Sequence, residues 1–287
     1  MAEYAVYDAP EVPSYEDRSD SAVVVPEIAI DRLARVRHAT RICWWLSIDK
    51  SLAFRFARER GDIAQGFGSD LDIHGLSRLS ARMRSARPRR GLIQSSIHLA
   101  QSQYAWAYLF ATHNVLPRLV SDYIRPERTG SDPPIAPEDR GPTIAFNPLK
   151  GHALTSRVMK ASPPAITWIP LEKMSPAGVG DALARSAVYL DLGQQPGRDR
   201  LPREAALRFA VSIVAQRGAG AFVEDTPIPS QHRVDPRRPD FLESTLSLIE
   251  DVFGAPRAHV DLQGPYREWV RTGQSVFVSE VKCAFFD

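Results

Sequence analysis

Short, continuously apolar runs alternate along this chain with stretches of helical spacing, and that alternation restricts its fold more than any other feature. In the second half the runs are Thr143 to Phe146, Ile166 to Ile169, Val188 to Leu190 and Ser212 to Val214. Runs this short and apolar suit strands buried on both faces. Between them Thr155 to Ala161, Pro176 to Arg185 and Pro202 to Ala210 carry helical spacing. Strand, helix and strand in one direction need a crossover, so the pattern predicts a parallel sheet with helices on both faces. A similar series comes first: strands at Val23 to Pro26, Ile42 to Ser47, Ile97 to Ser102 and Leu119 to Tyr123, and helices at Ile30 to Arg37 and Gln103 to Ala111. The segment Arg125 to Pro142 between the two series is rich in Pro, Gly and charge and reads as a linker. The expected α/β organisation is a flexible acidic tail over 1–20, a Rossmann-like domain over 21–124, the linker over 125–142 and a second doubly wound domain over 143–287. That second domain ends in helices at Phe241 to Phe253 and, shorter, at Tyr266 to Val270, and no internal repeat is visible.

Composition removes several classes. With 44% hydrophobic residues the chain can bury a large core, and a formal charge of +2 argues for no nucleic-acid or membrane partner overall. Cys43 and Cys283 are the only cysteines, too few for a disulfide framework or a zinc site, and suit a reducing cytoplasm. No apolar stretch approaches the roughly 20 residues of a membrane span. The acidic start differs from a signal peptide, so at most peripheral membrane contact is expected.

Two turns carry the chemistry. Val188 to Leu207 joins a buried strand, a turn containing Gly193, Pro196 and Gly197, and a helix opened by Pro202. At the carboxyl edge of a parallel sheet, strand ends and helix N-termini present N–H groups to an anion, and Arg198 and Arg200 add charge suited to phosphate. Earlier, Asn147, Pro148, Leu149, Lys150 and Gly151 separate the first strand of this domain from its helix. Lys150 there can serve as a point charge on a diphosphate, and Gly151 lets backbone come close. Either turn alone fits an ordinary solvated connection; if both lie on one sheet edge, the two together argue for an anion site more than either alone.

These halves, the Asn-Pro-Leu-Lys-Gly turn and the Pro-Arg-Glu-Ala-Ala helix start resemble glycosyltransferases of the GT-B type, most clearly their donor domain. The PGRDRLPREAA form is similar to glycosyltransferase-like proteins of surface-polysaccharide loci. The resemblance spans most of Val23 to Pro229 and touches the first domain at VVVPEI, CWWLSID and IHLAQSQYAWAYL. It implies a metal-independent, hexosyltransferase-type enzyme that moves a sugar from a nucleotide sugar to a glycan, lipid-linked or small acceptor. Lys150, with Asn147 and Gly151, would contact the donor diphosphate. Glu204 would hold donor hydroxyls, and Arg198 or Arg200 would stabilise the departing group. Gly197, Asp199 and Gly218 would line the donor pocket, and His98, Gln101, Ser102 and Tyr104 the acceptor side. Tyr104 and Trp106 fit packing positions equally, and His98 a satisfied buried histidine.

Two departures bear on activity. Retaining members carry a glutamate eight residues before Glu204, where this chain has Pro196, followed by a matching Gly197. Sugar recognition then falls to Arg198, Asp199 or Gln194, or the donor differs, or activity is absent; retention and inversion stay open. The first strand with a Gly-rich turn is also missing, so the first domain is expected to be one unit short. A second reading is therefore a non-catalytic nucleotide-sugar-binding relative acting as a partner or regulatory subunit. A third, glycosylation of nucleic acid, rests on Arg82 to Arg90 alone, and without interleaved aromatics that cluster also fits a solvated loop. Asp70-Leu71-Asp72 has the form of a metal-binding DxD but lies in a polar, Gly-flanked stretch, and no cofactor beyond the nucleotide-sugar co-substrate is expected. Gly218, Ala219 and Gly220 with Glu224 and Asp225 read as a turn near the donor base or ribose. No G-x-S-x-G elbow is present, so hydrolase chemistry has no support.

Overall fold

The computed structural model describes residues 12, 14–48, 90–125 and 135–286. Among them are two wholly parallel sheets. The first contains β1 (Ala22–Pro26), β2 (Thr40–Trp45), β3 (Ile97–Ala100) and β4 (Arg118–Leu119), in that spatial order. The second contains β5 (Thr143–Phe146), β6 (Thr167–Pro170), β7 (Val188–Asp191), β8 (Val211–Ala215) and β9 (Arg233–Val234), in the order β6-β5-β7-β8-β9. The chain leaves β5 toward one side and returns to β7 on the other. The switch point, where ligand crevices form outside the strand ends, therefore lies between β5 and β7.

Helices cover both faces of the second sheet, which explains the uninterrupted apolar runs. Ile144, Val188, Leu190, Val211 and Ile213 pack with Val158 of α2 (His152–Ala161), Ile249 and Val252 of α5 (Phe241–Gly254) and Val260 of α6 (Pro256–Leu262). Ala145 and Tyr189, one residue out of phase, face Leu183 of α3 (Pro176–Arg185) and Ala205 of α4 (Arg200–Leu207). In the first sheet one face packs on Ala105 and Leu109 of α1 (Gln103–His113) and on the helix Glu27–Arg35.

Three elements depart from their expected form. The helix expected over Ile30 to Arg37 is 3-10 in form over Glu27–Arg35, kinked at Ala29, and its buried residues Glu27, Ile30 and Leu33 recur every three positions. The fourth strand of the first sheet, expected over Leu119 to Tyr123, is Arg118–Leu119. Beyond it the Ser121 N–H and hydroxyl turn to Glu280, and Asp122 turns to Arg203. The short helix expected at Tyr266 to Val270 is α7 (Gly264–Phe286), of 23 residues. Its first half buries Tyr266 and Val270 against Ala206, Leu207 and Val214. Its second half crosses to the first sheet, where Phe277, Val281 and Ala284 cover Ile42, Leu99 and Val120. That docking overrides the weak helical tendency of a stretch containing Gly273, Val276 and Val278.

Candidate functional site

The turns after β5 and β7 meet backbone to backbone at the switch point. Asn147 Oδ1 accepts from Leu149 N at 3.0 Å and its carbonyl from Lys150 N at 3.2 Å, so Asn147 shapes the turn. Gly151 follows at φ +60, and a Cβ there would lie 2.6 Å from Leu192 C and from Gly193 N. Only glycine fits both the left-handed backbone and that approach. Gly193 returns the contact, its Cβ position lying 2.7 Å from Lys150 Cβ.

Gly151 is also the N-cap of α2 and supplies no side chain to cap it. The first turn of α2 thus faces an open cleft of about 400 Å³, lined by Leu149, Lys150, Gly151, His152, Ala153, Leu154, Gln194 and Arg217. Uncapped N–H groups and the positive end of the helix dipole meet Lys150 and Arg217 here, an arrangement that attracts an anion. Sequence reasoning missed Arg217, which follows β8 and makes no ion pair among the described residues. Its signal was a basic residue at a strand end beside Gly218, whose φ of +59 marks a tight turn.

Lys150 Nζ pairs with the Asp199 carboxylate. Burial pushes the Asp199 carboxyl up against the opposing pull of Lys150. Asp191, at the end of β7, is fully enclosed and accepts from Gly193 N at 3.0 Å. Burial and the nearby Asp199 push its carboxyl up to about 6.

The remaining expected residues fall into other groups. Arg198 does not enter the cleft: its Nε meets Asp225 Oδ1 at 3.3 Å and its guanidinium stacks 5.3 Å from the Trp269 ring centroid. Asp225, whose side chain is 0% exposed, accepts from Gln103 N at 2.8 Å and Tyr104 N at 2.9 Å and so caps α1 of the other half. Gln101 Oε1 accepts from Arg198 N at 3.0 Å, and the Tyr104 hydroxyl accepts from Gln194 Nε2 at 3.1 Å. A Cβ on Gly197 would fall 2.2 Å from Gln101 Oε1, and the Pro196 carbonyl accepts from Ile48 N at 3.2 Å. Gln101, Tyr104, Gly197 and Arg198 thus form a seam joining the two sheets.

His98 lies in the first core instead of lining a cleft. Its Nδ1 accepts from Trp45 Nε1 at 2.9 Å, its Nε2 faces Ile93 O at 2.7 Å, and burial pushes the imidazole down. Ser102 caps α1, its Oγ accepting from Ala105 N at 3.1 Å. Gly218 packs on Gln195, whose carbonyl lies 2.0 Å from the position of a Cβ. Glu204, only 6% exposed, pairs with Arg200 at 3.5 Å. The Asp70-Leu71-Asp72 motif and Arg82 to Arg89 lie outside the described residues, and no group of three metal-ligating side chains occurs among the described ones.

No protein-family model and no curated protein matches this chain. By structure it is similar to sucrose-phosphate synthase from Thermosynechococcus elongatus, with a TM-score of 0.64 at 12% identity over 99% of this chain and 75% of the synthase. TarM gives 0.64 at 10% identity over 95% and 56%, so the chain spans little more than half of TarM. The catalytic domain of starch synthase IV from Arabidopsis thaliana, bound to ADP and acarbose, gives 0.51 at 11% identity over 91% and 73%. The shared architecture is the GT-B fold, two Rossmann-like halves of parallel sheet.

Proposed function

We propose that this GT-B chain is a glycosyltransferase that holds the diphosphate of a nucleotide sugar at the carboxyl edge of β5 and passes the sugar to a glycan, lipid-linked or small acceptor. In this reading residues 143–287 form the donor half and 21–124 the acceptor half. The observation that carries it is the convergence of Lys150, Arg217 and the uncapped N-terminus of α2 on one cleft. Departure of a nucleoside diphosphate leaves charge on its β-phosphate, and preorganised cations with a helix dipole stabilise that charge without a metal. Arg217 takes the role first given to Arg198, which is held by Asp225. Glu204 would turn from Arg200 to donor hydroxyls. The starch synthase neighbour bound to ADP and a TarM mutant in complex with UDP support a nucleoside diphosphate as ligand class. Two free cysteines suit the cytoplasm as its compartment, and no helix among the described residues is long and apolar enough to cross a membrane.

The non-catalytic reading has its own support. Pro196 stands where the resemblance puts an acid, and its carbonyl is tied to Ile48. Thermal shifts with UDP, ADP and GDP, then turnover with the matching nucleotide sugars, separate the two. A ligand at about 100 times its Kd stabilises by about 2.7 kcal/mol, and Lys150→Ala or Arg217→Ala should remove most of that gain. Binding without turnover across the panel sinks the enzyme; turnover indifferent to both substitutions sinks the site.

A further inference from the structure

Asp199 occupies the N-cap of α4, where an aspartate ordinarily accepts from the helix's own N–H groups, yet it makes no such bond. Its carboxylate reaches across to Lys150 instead. Asp191 lies beneath the same turn, bonded to Gly193 N, the residue whose Cβ position touches Lys150 Cβ. One buried carboxylate, Asp191, and one half-buried, Asp199, therefore share one cation. We infer that Asp191 and Asp199 form a positioning pair that holds Lys150 in the cleft and takes up one proton when an anion replaces Asp199 on the ammonium. The inference rests on the proposed function, the anion being the donor diphosphate.

An arriving anion occupies Lys150 and brings further negative charge, so the half-buried Asp199 loses its counterion beside the buried Asp191. Two such groups do not both stay ionised without a cation, and a proton enters from solvent. Among the described residues the arginines nearest Asp199 already have partners. Arg203 faces Asp199 from α4 but is held by Asp122 at 2.9 Å, and Arg200 is held by Glu204. Tyr189 on β7 and Tyr266 on α7 face the pair as neutral phenols, both pushed up by burial. Because Asp191 already sits at about 6, anion affinity is greatest on the acid side and falls as pH rises through the range above that value.

The test uses the full chain with sulfate, whose charge is constant over this range, following the Gly151 and Gly193 amide NMR signals from about pH 5.5 to about pH 8. His152, an imidazole lining the same cleft, is replaced in every arm by His152→Gln so that only the carboxylates respond. Sulfate should shift both amides, its affinity falling with pH by up to about tenfold per pH unit, the limit for one linked proton. Asp199→Asn should bind several-fold more tightly and lose the slope. Asp191→Asn should lose the slope as well, and should it fail to fold, Asp199→Asn decides alone. Sulfate binding at Gly151 that is indifferent to pH overturns the pair and leaves the cleft standing. Absence of any shift at Gly151 overturns the anion cleft and the pair with it.

Discussion

At Asp191 the sign of a stability effect follows from burial. Its folded carboxyl is raised from 3.8 to about 6, so the folded chain holds that proton more tightly than the unfolded one. Stability attributable to the group is therefore greatest below the unfolded value and is lost as pH rises through about 6. Asp191→Asn should exceed the parent by up to about 3 kcal/mol near pH 8 and converge with it near pH 4, as read by urea denaturation at both pH values. A parent that stays the more stable near pH 8 would show that the carboxylate is well compensated there. Gly151 gives the opposite kind of site. Gly151→Ala meets both a positive φ and backbone at 2.6 Å, and should cost roughly 2–5 kcal/mol and abolish nucleotide-dependent stabilisation. Both residues show how unevenly the site was legible. Gly151 and Lys150 stand out in the sequence only together with the second basic turn, because a glycine beside a lysine between strand and helix also fits a solvated connection. Asp191, one position beyond an apolar run, looks like any strand-end aspartate until the fold buries it.

Among the elements, α7 depends most on its surroundings. Phe277 stacks on Trp44 at 6.3 Å and lies tilted against Tyr123 at 5.3 Å between ring centroids, and so ties α7 to the first sheet. Phe277→Ala should cost about 2–3 kcal/mol and change the near-UV circular dichroism of the tryptophans, whereas Val278→Ala, on an exposed position, should stay within about 0.5 kcal/mol. Equal effects of the two substitutions would sink the docking of α7 on that sheet. Strands β5 and β7 and helix α3 were legible because local pattern and tertiary demand agree there. The second half of α7 was not, because its partners Ile42, Leu99 and Val120 are far away in sequence and its own residues favour a helix only weakly.

On the scale of the molecule, a buried charged seam holds the halves together. Asp225, Arg198 and the α1 N-terminus share one desolvated cluster, so removing one member leaves the others unpaired. Asp225→Ala should cost about 3–5 kcal/mol, and scanning calorimetry should resolve two transitions where the parent shows one. A single transition at the parent's midpoint would mean the seam contributes nothing. Arg198, Gln101 and Tyr104, expected from the sequence to be ligand contacts, take part in that seam: a residue type suited to binding an anion is equally suited to binding the other half of its own chain. The sequence alone determined that parallel strands alternate with helices and that two glycine-bearing turns end strands of one sheet, because periodicity and turn chemistry are local properties of the chain. Which charges stay open to solvent was decided only in three dimensions. Lys150, Arg217, Asp199 and Asp225 differ in what folds against them, and desolvation depends on neighbours that no local pattern specifies.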